Sequence, residues 1–552
     1  MRPWGLPRFP ELLPRATSFE GNRRRPGVDY STTNVQEEGI DEPDIVKTDG
    51  STVFYVQART LYAVDVGEGP LAVLGTLKLE SDVHELLLRG TRLLVLGRRL
   101  YRAYRPLPGS PRRLPPYESA RTILTEVDVR DPRALRITRT LAVDGQYVSG
   151  RLHGRIARLV VSSTMPTGLT FGESVEANRA IVASAPLRHW LPRYEVRNAG
   201  GTVRSSYLVQ CRSVWRPRMF SGLGLLTVLT IDLDKGLEPT NAVSVLADGQ
   251  ILYASNDSLY LATEPWAARP REWGSRPART AHTTIHKFGI GSPDRTRYRA
   301  SGKVPGFLID QWSLSEHEGI LRTASTDTPL DVEDPETETV VTTLRERDGK
   351  LAHVGRVGEL GKGERLYAVR FMGDVGYVVT FRQIDPLYTL DLSDPERPRV
   401  VGELKIPGYS AYLHPVGEDL MLGIGQEGDD STETRGLQVS LFDVGSIRRP
   451  ARLDRTRVGR GWSSVEFDHH AFLYWPRARL AVVPVGTQAA AVRVSRASGI
   501  RVDARIRHPT PAASISRSLV VGKSLYTISY DGIEERSLST LSRRAWVEFP
   551  RG

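Results

Sequence analysis

Residues 364–408 read ERLYAVRF (364–371), VGYVVTF (375–381), LYTLDLSDPERP (387–398) and RVVGELKIPG (399–408). Each piece is a strand-length run rich in Val, Tyr, Leu and Thr. The breaks between them carry Gly or Asp-Pro, and none shows the 3.6-residue spacing of a helix. Four consecutive strands joined by short turns form one antiparallel sheet.

Working outward, the same phrase stands at 42–79 as EPDIVKT, STVFYV, TLYAVDV and LAVLGTLKL. The third strand repeatedly ends on an aspartate, at Asp65, Asp128, Asp232, Asp391 and Asp443, with weaker members near Phe288 and Arg345. Neighbouring recurrences lie about 45 to 65 residues apart, the period of a propeller blade, except for one long gap between Asp128 and Asp232 that contains an insertion. A four-stranded sheet cannot bury either face alone, whereas radial stacking buries both and leaves only short edges. The expected fold is therefore all-β: a single β-propeller of eight blades, with seven and nine as alternatives. ISRSLVVGKSLYTISYDGI near the C-terminus is expected to close the ring with the N-terminal strands. Segments 103–120, 164–205, 264–282, 325–340, 426–436 and 484–499 break the period and read as projecting loops. Residues 1–30 are rich in Pro and Arg, lack an apolar core and read as a tail rather than a signal peptide. The propeller is expected to occupy 31–552.

Composition narrows the function classes. The chain has 552 residues, 40% hydrophobic and 25% charged, which excludes collagen-like, coiled-coil and wholly disordered classes. The longest apolar run, around Gly222–Leu233, is about a dozen residues, short of the roughly 20 that a spanning helix needs. A single cysteine, Cys211, excludes internal disulfides and Cys-based metal cages. The net charge is +11, but Arg is spread along the chain among 64 acidic residues. That distribution argues against the basic stripe a nucleic-acid partner requires. A monomer is the expected state.

STTNVQEEGIDEPDIVKTDGSTVFYV (31–56) closely resembles the opening of a family of bacterial and archaeal secreted proteins with a C-terminal β-propeller distantly related to WD repeats. PGYSAYLHPVGEDLMLGIGQE (407–427), GLQVSLFDV (436–444) and FDHHAFLYWP (467–476) resemble the same family's later blades in the same order. The resemblance implies a secreted or cell-envelope protein without an established activity. The chain departs from the family's pattern in showing no leader at its start: either the start is misplaced or truncated, or the protein stays inside, with a cytoplasmic location as the alternative.

Three polar groupings are candidate sites. Read as a strand, FDHHAF places Glu466, Asp468 and His470 on one face and His469 on the other, a set suited to metal binding or acid/base work. Buried hydrogen bonding between blades is the reading favoured over that chemistry. Asp41, Glu42 and Asp44 offer the hard oxygen ligands that calcium takes, although their spacing is not that of a calcium loop. Turn chemistry is the favoured reading there; no cofactor is expected, and calcium is the alternative. His414, after Tyr409 and Tyr412, is expected near the axial channel. No G-x-S-x-G elbow, phosphate loop or HExxH motif occurs. The expected function is a non-enzymatic binding or scaffold protein that presents loops and rim to a protein or polysaccharide at the cell surface. The alternative is a propeller enzyme, either a metal-dependent hydrolase or lyase or a quinone-dependent dehydrogenase, with its site in the central channel.

Overall fold

A computed structural model of the chain describes residues 24–103, 117–165, 169, 171–172, 174–217, 220–263, 281–329, 336–381, 384–428, 436–510 and 513–550. Among them the strands group into nine four-stranded antiparallel units, at 46–78, 82–144, 146–246, 251–305, 314–360, 365–407, 409–459, 473–506 and 515–548. They are numbered 1 to 9 below. The sheets of units 4 and 5 are joined by one parallel bridge, Ser301 to Lys350. Eight blades are favoured by the sequence reading, and the described residues match the larger alternative.

Burial explains why the units assemble. Nine apolar clusters lie between successive units, each drawing side chains from both neighbours. The last joins unit 9 to unit 1: Tyr55 and Tyr62 stack on Phe549 at 5.0 and 4.7 Å, beside Tyr30, Ile528 and Ile533. The fold is a closed β-propeller. Fourth strands such as Ala451–Gly459 and Arg543–Glu548 are largely exposed and form the outer edges, so each unit's first strand faces the axis.

The recurrent aspartates have one physical role. Asp65, Asp128, Asp232, Asp391 and Asp443 each end a third strand and accept a hydrogen bond from the backbone N–H two residues on, at 2.9–3.1 Å. This is an Asx turn, which stops the strand and starts the reversal. In units 2, 6 and 7 the turn then docks on the preceding unit at a glycine of its fourth strand. A Cβ at Gly75 would sit 2.4 Å from Pro132 O, and one at Gly402 would sit 2.6 Å from Ile447 O. In unit 8 the hydroxyl of Ser495 replaces the carboxylate, accepting from Ala497 N at 3.2 Å. Losing the Asp signal is what makes 484–499 look like a loop. It holds the end of strand Leu480–Val485 and all of strand Gln488–Ser495.

Other expectations also change. Segment 164–205 contains the helix Val175–Ser184, capped by Ser174, and the strand Arg193–Asn198, which extends the sheet of unit 2 beyond its fourth strand. Residues 24–30 are not a free tail: Tyr30 is buried in the closing cluster, and Gly522 N donates to Asp29 O at 2.8 Å. Residues 1–23 lie outside the described residues, as do 104–116, 264–280 and 429–435 in the other expected loops. Unit 9 supplies all four of its own strands, so the N-terminus closes the ring by packing and by a single bridge, Tyr30 to Val521. No helix among the described residues is long and apolar enough to cross a membrane.

Tyr30→Ala is expected to cost about 3–5 kcal/mol of unfolding free energy, the range for deleting a buried aromatic ring, whereas Tyr30→Phe stays within about 1 kcal/mol. Gly402→Ala is expected to cost about 1–3 kcal/mol through overpacking. Denaturant titration measures all three, and a silent Gly402→Ala refutes the docking role given to that glycine.

Candidate functional site

The segment 31–45 runs across the inner strands. Ser31 N donates to Val520 O of unit 9 at 2.9 Å. Asn34 Nδ2 donates to Tyr412 OH of unit 7 at 2.9 Å and to His469 O at 2.7 Å. Gln36 Nε2 donates to Gln311 O and to Leu314 O of unit 5, and Glu37 Oε1 accepts from Tyr253 OH of unit 4 at 2.7 Å. Ile40 and Asp41 then pair with the first strand of unit 3, and Asp44 exchanges two backbone hydrogen bonds with Leu86 of unit 2. Pro43 holds Glu42 out of helical conformation, in keeping with this extended course. The chain's own N-terminal segment therefore lies at the axis.

At its centre is Glu42, 3% exposed. Oε1 accepts from Gln36 N at 3.1 Å and from Gln311 Nε2 at 2.9 Å, and Oε2 accepts from His469 Nε2 at 3.1 Å and His470 Nε2 at 3.2 Å. Arg151, also buried, stands 3.9 Å away and donates to Gln311 Oε1 at 2.9 Å. Burial would raise the Glu42 pKa, but Arg151 and the two histidines outweigh it and hold the carboxyl well below its usual range.

Next to it, His470 Nδ1 donates to Asp468 Oδ1 at 3.1 Å. Both ring nitrogens of His470 thus face carboxylates, so the ring carries both protons. Burial alone would lower its pKa; the Asp468 and Glu42 contacts push it up to about 10. Arg517, buried on the first strand of unit 9, bridges Asp468 Oδ2 at 2.6 Å and Asp44 Oδ1 at 2.7 Å. The carboxylates of Glu42, Asp44 and Asp468 are matched by Arg151, Arg517 and His470.

The sequence-predicted residues fall as follows. Residues 464–471 form two short 3-10 turns instead of a strand. In the first, Ser463 and Glu466 make a capping box, and Glu466 also accepts from Gln426 Nε2 at 2.7 Å. Asp468 caps the second through His470 N. Because a tight turn does not alternate faces, His469 joins His470 on Glu42, with ring centroids 4.1 Å apart, and Glu466 is separated from that group. Asp41, Glu42 and Asp44 do not share a centre: Asp41 pairs with Lys47 Nζ at 2.6 Å, Asp44 with Arg517 and Glu42 with the histidines. His414 does lie beside the axial residues. Tyr412 OH is 3.1 Å from its Nδ1, and burial together with Arg370 and His469 drives its pKa down to about 3, so it stays neutral. Gln311, Arg151 and Arg517, remote in sequence, went unrecognised. The capping-box spacing Ser463-x-x-Glu466 was the one local signal that 464–471 turns.

By distance, Glu42, His469 and His470 present three ligand atoms within 4.8 Å of one another and could hold a divalent cation. Their charges are nevertheless balanced by protein groups, and both oxygens of Glu42 accept hydrogen bonds. The geometry matches an ion-pair junction joining several units at the axis.

A closed all-β ring with its own N-terminal segment at the axis defines the class as a β-propeller. The chain belongs to the beta propeller domain family, whose model matches residues 30–541. It is 30% identical over 500 residues to an uncharacterized protein of Archaeoglobus fulgidus, covering 83% of this chain and 76% of that one. It is 38% identical over 229 residues to an uncharacterized protein of Methanocaldococcus jannaschii, covering 42% of this chain and 35% of that one. The chain thus matches about a third of the length of the latter. Among solved structures, Chaetomium thermophilum Sqt1 bound to the N-terminus of ribosomal protein L10 aligns with 66% of this chain and 86% of its own, at 10% identity and a TM-score of 0.38.

Glu42→Gln is expected to destabilise the fold by about 3–5 kcal/mol, because the cations around it stay buried without their partner. The His470 contribution is fully present below the unfolded imidazole pKa of about 6.5 and is lost as pH rises through about 10. Those of Glu42 and Asp468, both held low, are present above the unfolded carboxylate values near 4 and are lost on acidification. The stability difference between wild type and His470→Gln should therefore peak near pH 6 and shrink towards pH 10. Urea unfolding across that range measures it, and a difference that grows with pH contradicts the assignment.

Proposed function

We propose that this propeller is a non-enzymatic binding or scaffold protein of the cell envelope or exterior, and that it engages a protein partner through its surface. The observation that carries this reading is an exposed aromatic pair. Trp462 and Phe467 are 69% and 74% exposed, with ring centroids 5.6 Å apart. Large aromatic side chains held in water are what protein interfaces use as anchors. These two flank the turn 464–466, whose capping box and contact to Gln426 fix it in place. An anchor on a rigid support forfeits little conformational entropy on binding.

Two further points support the reading. The charged groups around Glu42 and Asp468 are spent on one another, which leaves Asp468 and His470 committed to Arg517 and Glu42 rather than free for acid/base work. The envelope or exterior location rests on the family resemblance carried by 31–56, 407–427, 436–444 and 467–476.

The test is affinity capture from the native source after separating cytosol, envelope and medium, with wild type and a Trp462→Ala/Phe467→Ala double variant compared by mass spectrometry. A stoichiometric envelope or external protein retained by wild type and lost from a correctly folded double variant is the expected outcome. Turnover of glycosides, peptides, lactones or phosphoesters that Asp468→Asn abolishes would overturn the non-enzymatic reading.

A further inference from the structure

We propose that a cavity beside the axial segment, walled by Gln36, Glu37, Trp312, Arg322 and Arg370, binds a small hydroxylated carboxylate. The cavity lies where segment 31–45 passes units 5 and 6 and measures about 140 Å³. A single water needs about 10–15 Å³ on the same measure, so the space admits a molecule of several heavy atoms.

Two guanidinium groups supply the anion-binding wall. Arg322, 4% exposed, donates through Nη2 to Ser315 Oγ at 2.7 Å and through Nη1 to Gly373 O, yet its Nε has no hydrogen-bond partner. Arg370 lies over the Trp312 ring at 4.3 Å, and its buried Nη1 also has no partner. An orphaned charged donor in a buried site is costly, and native proteins seldom leave one without a ligand or water. Both guanidiniums are held in place: Arg322 by its two remaining donors and by the Phe371 ring at 5.1 Å, Arg370 by Trp312. They are oriented before any ligand arrives.

Charge sets the ligand's sign. Glu316 on the wall is already held by Lys287 at 3.2 Å and by the hydroxyls of Ser255, Ser258 and Tyr260. His317 faces Asp374 at 3.3 Å. Glu37 and Asp374 both act on Arg322 electrostatically and Glu37 on Arg370, yet among the described residues neither guanidinium forms an ion pair, a partner that a carboxylate ligand supplies. Planar carboxylates suit the guanidinium fork.

Gln36 adds the second recognition element. Its Nε2 donates to two backbone carbonyls, which fixes the amide orientation, and its buried Oε1 is left without a donor. A ligand hydroxyl fills that role. Arg322, Arg370 and Gln36, each with one buried polar atom that lacks a partner, wall the cavity and together suit a carboxylate that carries a hydroxyl group.

The pocket shares no residue with the Trp462/Phe467 surface, so it stands or falls separately from the scaffold reading. Calorimetric titration of the full chain with lactate, acetate and inorganic sulfate tests it. Lactate is expected to bind saturably and more tightly than acetate. Arg370→Gln should weaken lactate roughly tenfold or more, as expected for losing a hydrogen bond to a charged group, while Arg370→Lys retains part of the affinity. Absence of saturable binding by wild type at concentrations up to about 10 mM, or sulfate binding as tightly as lactate, overturns the proposal whether or not the variants fold.

Discussion

The carboxylate of Glu42 is the constraint around which the centre of the molecule is arranged. A charge taken fully out of water is costly unless it is paired and hydrogen-bonded. Glu42 meets that demand with Gln36 from its own segment, Arg151 from unit 3, Gln311 beside unit 5 and the two histidines ahead of unit 8. Apart from the two adjacent histidines, these partners belong to different parts of the ring, so the carboxylate is satisfied only when several blades stand in their native relation. The junction thereby converts a local electrostatic requirement into a global one.

The apolar clusters act on a different scale. Each lies between two adjacent units, and closure at Tyr30, Tyr55, Tyr62 and Phe549 buries the faces that an open arc would leave exposed. Burial of this kind is non-directional and tolerates sliding. Register between blades comes from polar contacts with fixed geometry: the Asx turns, seated in units 2, 6 and 7 against a glycine of the preceding unit, and the axial segment that touches inner strands around the ring. Hydrophobic stacking supplies the drive to assemble, and the polar contacts select one assembly.

Function follows the same division. Where charges at the axis are mutually satisfied they hold the ring together. Arg322 and Arg370 differ because each keeps a buried donor without a partner in the cavity wall. On the outside, Trp462 and Phe467 stay in water although the turn between them is firmly held. Sites of this sort depart from the satisfaction that governs the rest of the fold, and that departure distinguishes binding features from structural ones.

Strand length, the all-β class and the repeating Asp-terminated third strand are local properties, set within about ten residues by side-chain alternation and turn chemistry, and they are readable from the amino-acid sequence alone. Unit 8 was harder to see because a serine does the aspartate's work there. The axial site was only partly legible: Glu42, Asp468, His470 and His414 stood out as polar residues, but FDHHAF alternates like a strand while the Ser463–Glu466 box folds it into turns. Which cation faces which carboxylate, the inward course of segment 31–45 and the orphaned donors of Arg322 and Arg370 were decided by the tertiary structure. The physical reason is separation along the chain: Glu42 meets Gln311 and His470 across 269 and 428 residues, and only closure of the ring brings such positions within hydrogen-bonding distance.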